Sequence, residues 1–259
     1  MVYEIPSNYN EFTLLVKVST DKPEKLRLIV KDADMPDTVF TNRYKTVNGE
    51  QSFFVRMPVS GKKCYLVIYN ERVGNVSEDS SFEVLDVRRI PLEKKMDVID
   101  FSDPKLKTFV KFCTKFCFNA GELTSGTYRS RYGEFTIQYL TAIVHPNGVE
   151  SKTPARIGVQ SGIIQVSQSK FKPMTVPMRM AILLHEYCHF HVNDNMHDET
   201  EADLNGLLIY LGLGYPRIEA YEAFLNTFIT VPNEQNKKRY DAINKFINEF
   251  EKNNMLVYE

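Results

Sequence analysis

The residues best suited to catalysis lie in the segment HEYCH, where two histidines and a glutamate have the spacing H-E-x-x-H. On a helix, His185 and His189 lie one turn apart on the same face, where two imidazoles can bind a single Zn²⁺. Glu186 lies about 100° around the helix from His185, so its carboxylate can reach a metal-activated water without binding the metal. The spacing therefore predicts a zinc site in which Glu186 is the general base.

The helix that must position these residues has a strongly apolar pattern. Met178 and Ile182 lie on the same stripe as the two histidines. Imidazoles on a core-facing stripe are unfavourable unless their polar atoms find partners. The alternative to a metal site is a pair of hydrogen-bonded core histidines beside a solvated, acidic helix start. The apolar context favours the metal.

A third ligand is expected from the acidic segment DETEAD, at residues 198–203. In order and spacing the chain here resembles the gluzincin metallopeptidases, whose second helix carries E-x-x-[AS]-D. The resemblance extends over residues 155–216, and it implies that Glu199 is the third zinc ligand. It also implies that Asp203 accepts a hydrogen bond from a ligand histidine. Nine residues separate His189 from Glu199, fewer than in thermolysin. Two antiparallel helices joined by a short loop would still bring Glu199 beside the two histidines.

Neighbouring residues offer alternatives. His191 would be a ligand in an H-E-x-x-H-x-H variant, and His197 could reach the metal from the loop between the helices. Glu201 fits better as the glutamate of a capping box whose N-cap is Asp198. No histidine follows His197, so the group that stabilises the oxyanion is left open. The candidates for that role are His145, Tyr210, Tyr215 and Tyr221.

Hydrophobic periodicity predicts the elements around the motif. Helices are expected at 103–119, 176–192, 198–211, 217–228 and 236–252, and strands at 134–144 and 156–166. The segment Arg156–Val166 is the expected edge strand, on which an extended peptide substrate would lie by β-augmentation. Gly158 and Gly162 would let a second backbone approach that strand closely.

Residues 1–92 have the pattern of short strands separated by turns. Strands are expected at Glu11–Ser19, Leu26–Val30, Ser52–Met57, Cys64–Tyr69 and Phe82–Val87, with turns that include Asp21–Pro23 and Asn48–Gly49. This pattern predicts an antiparallel, immunoglobulin-like β-sandwich that acts as an adaptor or docking domain. The charged segment Arg88–Lys95 contains a proline and is the expected linker. The predicted fold class is therefore α+β, with a zincin-like α+β domain at residues 93–259.

Composition narrows the function classes. The chain has 259 residues and a formal net charge of −1, so no global attraction to nucleic acid or to an anionic membrane is expected. No apolar run is long enough for a transmembrane helix, and the start lacks a secretory signal. Cytoplasmic or virion-associated localisation is therefore expected. The four cysteines form no C-x-x-C pair and are expected to be free thiols, although Cys113 and Cys117 could share a metal on one helix.

Two functions follow as expectations. The first is a zinc metalloendopeptidase that hydrolyses peptide bonds in a peptide or protein substrate, with Glu186 as general base. The alternative is a structural virion protein, because the chain around Leu183–Glu186 and Leu207–Pro216 is similar to zincin-like proteins of tailed, crAss-like bacteriophages. Its zincin domain would be active or vestigial, and its N-terminal domain would contact other virion proteins. A third idea is a regulatory protease of the kind that cleaves phage repressors.

Overall fold

The chain forms two compact units. A computed structural model describes residues 1–71, 81–95, 97, 99, 101–230 and 232–254. The first unit comprises Met1–Glu93, and the second comprises Lys94–Leu213 and the helical region that begins at Arg217. Strands and helices both contribute, with an antiparallel sheet in the first unit, so the predicted α+β class is confirmed at this level.

The first unit is built on one antiparallel sheet. Its strands are β1 (Val2–Pro6), β2 (Phe12–Asp32), β3 (Val39–Met57), β4 (Lys63–Asn70) and β5 (Glu83–Ile90). The order is β1-β4-β2-β3, and β5 also pairs with β2. The first half of β2 pairs with β5 and its second half with β4, while β3 follows it along almost its whole length.

Strand β2 corrects one sequence expectation. Its alternate residues are buried, including Leu14 and Val16 in the first half and Leu28 in the second, as period-two patterning requires. The expected turn at Asp21–Pro23 is wrong, because these residues lie inside β2, where the register with β3 shifts. A bulge of this kind accommodates a proline within a strand. Asn48–Gly49 likewise lies within β3 instead of forming a turn.

The second unit contains a small mixed sheet. Its strands are β6 (Gly126–Arg129), β7 (Thr136–Leu140), β8 (Ala155–Ile157) and β9 (Ile164–Ser167), in the order β6-β7-β9-β8. Strands β7 and β9 are parallel, and the other pairs are antiparallel. The single strand expected at Arg156–Val166 is wrong, because this segment is a hairpin of β8 and β9. Gly162, with φ of 66°, allows the reversal that a longer side chain would strain.

Six helices are described. They are α1 (Pro104–Asn119), α2 (Gln168–Phe171), α3 (Val176–His191), α4 (Glu199–Gly212), α5 (Arg217–Thr230) and α6 (Glu234–Asn254). All but the short α2 were predicted, and their ends agree within about two residues. Asp103, Thr175 and Asp198 cap α1, α3 and α4 by accepting backbone N–H groups. No described helix is long and apolar enough to cross a membrane.

Helix α3 is the centre of the second unit. Every residue from Val176 to His189 is buried, so this helix has no solvent face over that length. Tyr187 stacks on Phe109 of α1 with ring centroids 4.3 Å apart. The fully buried Arg179 donates hydrogen bonds to the carbonyl of Cys117 in α1 and to two carbonyls near α2. These contacts hold α3 in one position, which any site built on it needs.

Two smaller expectations concern the cysteines and the linker. All four cysteines are free and buried, as expected. The linker expected at Arg88–Lys95 is partly wrong, because β5 continues through Ile90 and pairs there with Thr13 of β2. The segment without regular structure is Pro91–Lys95, and the boundary between the two compact units lies within it, after Glu93.

Candidate metal centre

Helices α3 and α4 supply the cluster, and a glycine lets them approach closely. A Cβ added to Gly206 of α4 would lie 3.1 Å from the His185 backbone nitrogen and 3.2 Å from its Cα. Any larger residue would therefore push α4 away from α3. Glu199 and Asp203 lie on α4 before this contact, so the close approach brings their carboxylates beside the α3 histidines.

The start of α4 is fixed by its cap. Asp198 accepts hydrogen bonds from the backbone N–H groups of Thr200 and Glu201, at 2.9 and 3.0 Å. The expected reciprocal half of the capping box does not form, because the Glu201 carboxylate accepts from the backbone N–H of Asp194 at 3.3 Å instead. Glu199 is the first residue of α4, and its side chain is directed at the two histidines.

Three donor atoms converge. Nε2 of His185 and Nε2 of His189 lie 3.0 Å apart. The Glu199 oxygens lie 3.5 Å from Nε2 of His185 and 3.7 Å from Nε2 of His189. Ligands of a tetrahedral zinc, each about 2.1 Å from the metal, are separated by about 3.4 Å. The spacing of the three residues is therefore close to that of ligands to a single metal ion.

The second nitrogen of each histidine has a polar neighbour. Nδ1 of His185 lies 2.9 Å from Oδ1 of Asp203, and Nδ1 of His189 lies 2.9 Å from the carbonyl oxygen of Met196. With a proton on Nδ1, each ring directs the lone pair of Nε2 into the cluster. Burial alone would lower the pKa of His185, but the contact with Asp203 and the charges of Asp203, Glu186 and Glu199 together raise it.

Arg239 of α6 completes the cluster, and it was not among the residues predicted from the sequence. Asp203 is completely buried, and the Arg239 guanidinium donates two hydrogen bonds to it, at 2.7 and 3.0 Å. A third guanidinium nitrogen lies 3.0 Å from Oε2 of Glu199. Burial tends to raise the pKa of Asp203, yet the hydrogen bonds and charges of His185 and Arg239 lower it. Asp203 is therefore held ionised beside His185.

Glu186 lies next to the donor atoms without belonging to them. Only 7% of it is exposed, and burial raises the pKa of its carboxyl to about 7. The charge of His185, a hydrogen bond from the Ile157 backbone and the charge of Arg239 act in the opposite direction. A carboxyl with a pKa near neutrality can accept and return a proton at physiological pH.

The cluster opens into a cleft of about 260 Å³. One side is formed by the helices and the other by the edge strand β8. Its lining includes Ala155, Arg156, Ile157, Ile182, Met196, His197, Phe224 and Arg239 besides the donor residues. Helix α3 and the edge strand β8 thus enclose a groove beside the donor atoms.

The structure separates the alternative ligands. His191 packs among aromatic rings, 4.8 Å from those of Tyr187 and Phe190, and lies outside the donor cluster. Burial lowers its pKa to about 4, which agrees with a neutral packing role. His197 lines the cleft but is not one of the clustered donors. Cys113 and Cys117 do not form a metal-binding group with other described residues.

None of the residues considered for the oxyanion lines the described cleft. His145 is exposed in a turn, while Tyr210 and Tyr215 are buried. Tyr221 also lies outside the lining. The cation nearest the donor atoms is instead Arg239, which lies 36 residues beyond Asp203 in the sequence. No local motif marks it, since an arginine on an amphipathic helix is ordinarily a surface residue.

The chain was also compared with known proteins. No protein-family model, curated protein or solved structure matches it.

Proposed function

We propose that the chain is a zinc-dependent peptidase of gluzincin type. In this proposal the second unit is a zincin-like domain and the first an immunoglobulin-like adaptor. The observation that carries the proposal is the convergence of His185, His189 and Glu199, with Glu186 beside them at the cleft. The donor set, two imidazoles and one carboxylate, is typical of catalytic zinc, because it leaves a position open to water or substrate.

A zinc ion bound by these residues would supply a Lewis acid for the substrate carbonyl and a water of lowered pKa. Glu186 takes a proton from the attacking water and delivers it to the leaving amine, as a general base and then a general acid. The pKa near 7 belongs to the protein without a bound cation. A nearby cation favours the charged carboxylate, so this pKa falls when metal binds, and Glu186 is then ready to act as a base.

Asp203 and Arg239 act through the ligands. Asp203 fixes the ring orientation of His185, while Arg239 holds both Asp203 and Glu199. Because the guanidinium contacts two of the carboxylates, it balances part of their negative charge and keeps Glu199 directed at the histidines. Such support of ligands affects metal affinity by about 10–100-fold in comparable sites.

The edge strand β8 offers the binding surface for substrate. The Ser167 N–H donates to the Pro154 carbonyl and the Gly158 N–H donates to the Ile163 carbonyl. The intervening Ala155 and Ile157 therefore direct their backbone groups away from β9. Ile157 also hydrogen-bonds to Glu186, which puts this edge next to the catalytic carboxylate. An extended peptide added to β8 would therefore carry its scissile bond past Glu186.

The test is cleavage of an unfolded protein by wild type and by Glu186→Gln, each with zinc and with a chelator. Glu186→Gln keeps the shape of the side chain but cannot accept the proton. We expect it to retain zinc and fold and to lose about 10²–10⁴-fold in rate. Glu201→Gln, on the neighbouring helix, is the matched control and should cleave like wild type.

Equal cleavage by wild type and Glu186→Gln would contradict the proposed mechanism. Cleavage that persists in the chelator would contradict the role of the metal. A wild-type protein that holds zinc and cleaves nothing would favour the alternative of a virion protein with a vestigial zincin domain.

A further inference from the structure

A row of polar side chains crosses one face of the small sheet and ends at the edge strand. Gln138, Gln165 and Arg156 are cross-strand partners on β7, β9 and β8. Nε2 of Gln165 donates to Oε1 of Gln138 at 2.9 Å, and Nε of Arg156 donates to Oε1 of Gln165 at 2.8 Å. On the opposite face of the same strands, Ile137, Ile164, Val166 and Ala155 are buried. The row is therefore a polar ladder on an otherwise open face, and Arg156 is its last member.

The ladder orients Arg156 without neutralising it. The hydrogen bond to Gln165 uses Nε and leaves the two terminal nitrogens of the guanidinium for another group. Among the described residues, no carboxylate lies within 4.0 Å of this guanidinium. Arg156 lines the cleft that contains the donor cluster, and also an adjoining pocket with Ser161 and Gln165. The half-buried guanidinium of Arg156 therefore lines the groove, and its two terminal nitrogens are not paired with a carboxylate of the described residues.

We propose that Arg156 makes the site selective for peptides with an acidic side chain beside the scissile region. The inference rests on the proposed function and names its substrate class. The backbone groups of Arg156 point towards β9. A substrate residue opposite Arg156, on a strand added to the free edge of β8, would therefore form a non-hydrogen-bonded pair with Arg156. Side chains of such pairs lie on one face, with Cβ atoms about 4.5–5.5 Å apart.

Charge then decides which residue fits opposite Arg156. A glutamate or aspartate can accept two parallel hydrogen bonds from the terminal nitrogens of the guanidinium. A lysine or arginine at that position would meet a like charge, and an apolar residue would cover the cation without giving it a partner. An acidic side chain would extend the ladder of Gln138, Gln165 and Arg156 by one further strand.

The first test measures binding, so that it does not depend on cleavage. Three labelled peptides alternate threonine with glutamate, with glutamine or with lysine. Alternation puts all variable residues on one face of the strand, and a shift of one residue is enough to turn that face to the side of Arg156. Fluorescence anisotropy at physiological salt is recorded with zinc-loaded Glu186→Gln protein. We expect the glutamate peptide to bind about 10-fold tighter than the glutamine peptide, and the lysine peptide to bind most weakly.

Charge reversal supplies the decisive comparison. Arg156→Glu should abolish the preference for glutamate and favour the lysine peptide, whereas Arg156→Gln should bind the glutamate and glutamine peptides equally. Arg129→Glu is the matched control, because Arg129 is exposed on β6 at the other edge of the same sheet. It makes the same change in net charge and should keep the wild-type preference.

The second test measures the sequences that active protein cuts in a mixed peptide library. Wild type should enrich acidic residues at one fixed position from the cleaved bond, and Arg156→Glu should lose that enrichment while still cutting. Equal binding of all three peptides, binding of none, or a preference unchanged in Arg156→Glu would overturn the inference. Zinc-dependent cleavage without acidic selectivity would overturn it and leave the proposed function intact, whereas acidic selectivity without cleavage would do the reverse.

Discussion

At the scale of single residues, the fold neutralises a carboxylate that is completely removed from water. Asp203 contacts His185 on one side and the Arg239 guanidinium on the other. Removal of one partner from a buried ion pair leaves the other charge without compensation, and this usually costs about 3–5 kcal/mol. The pair is therefore a structural requirement of the site as well as a support for its ligands.

Arg239→Gln should lower the free energy of unfolding by about 3 kcal/mol, because it leaves Asp203 with His185 as its remaining charged partner. Urea unfolding in the presence of a chelator measures this without a contribution from metal binding. The double variant Arg239→Gln/Asp203→Asn should recover a large part of the loss, since the unpaired charge is gone. Losses that simply add in the double variant would show that the two residues do not act as a pair.

The motif residues could be predicted from their spacing and Asp203 from the resemblance, whereas Arg239 and the Ile157 backbone could not. His185, Glu186 and His189 are fixed relative to one another by a single helix, so spacing alone predicts which of them share a face. Arg239 reaches the same place only through the packing of α6, far along the chain. The hydrogen bond from Ile157 to Glu186 likewise depends on a strand whose position no local pattern specifies.

At the scale of elements, the site depends on how closely α3 and α4 approach. Gly206→Ala adds a methyl group that would lie 3.1–3.3 Å from backbone atoms of His185 and Leu184. We expect a loss of about 1–3 kcal/mol from overpacking, reduced by up to about 1 kcal/mol because alanine favours a helix. Zinc affinity should fall as well, because Glu199 moves with α4.

Thermal unfolding and a zinc titration of the same preparation check both effects. Gly126→Ala is the control, since its added methyl group would meet only a Tyr128 ring carbon, at 3.8 Å. A Gly206→Ala protein that is more stable than wild type and binds zinc equally well would show that the helix contact is looser than described.

Helices were easier to predict than strands. Helix ends carried local signals, such as Asp103 before Pro104 and Asp198 before the acidic turn. A strand ends where its partner ends, and that partner is distant in sequence. The segment Arg156–Val166 therefore looked continuous, although its glycines and Ser161 reverse the chain. At Asp21–Pro23 a turn was predicted inside what is one continuous strand, because a bulge in a long strand has the composition of a turn.

At the scale of the whole molecule, the change from strand to helix periodicity near residue 92 predicted two parts. The pairing order within the first sheet could not be predicted, since β2 contacts three other strands through long-range hydrogen bonds. Whether the two units are independent can be tested directly at the boundary between them.

Limited digestion with trypsin should cut first after Lys94 or Lys95, which lie in the segment without regular structure. The expected products are a fragment rich in β-structure and a fragment rich in helix, each resistant to further digestion. Mass spectrometry gives the cleavage site, and circular dichroism of the separated fragments gives their structure. First cuts within β5 or within α3, or one protected core that spans residues 91–95, would argue against this boundary.

The most direct measurement is the zinc content and zinc affinity of the purified chain. Wild type should bind about one zinc per chain, and Glu199→Ala should bind it at least about 10–100-fold more weakly, because it removes a ligand of the cluster. Glu201→Ala and His197→Ala, which change neighbouring residues outside the cluster, should retain wild-type affinity. A Glu199→Ala protein that holds zinc as tightly as wild type, while His197→Ala or Glu201→Ala loses it, would contradict a metal centre made of His185, His189 and Glu199.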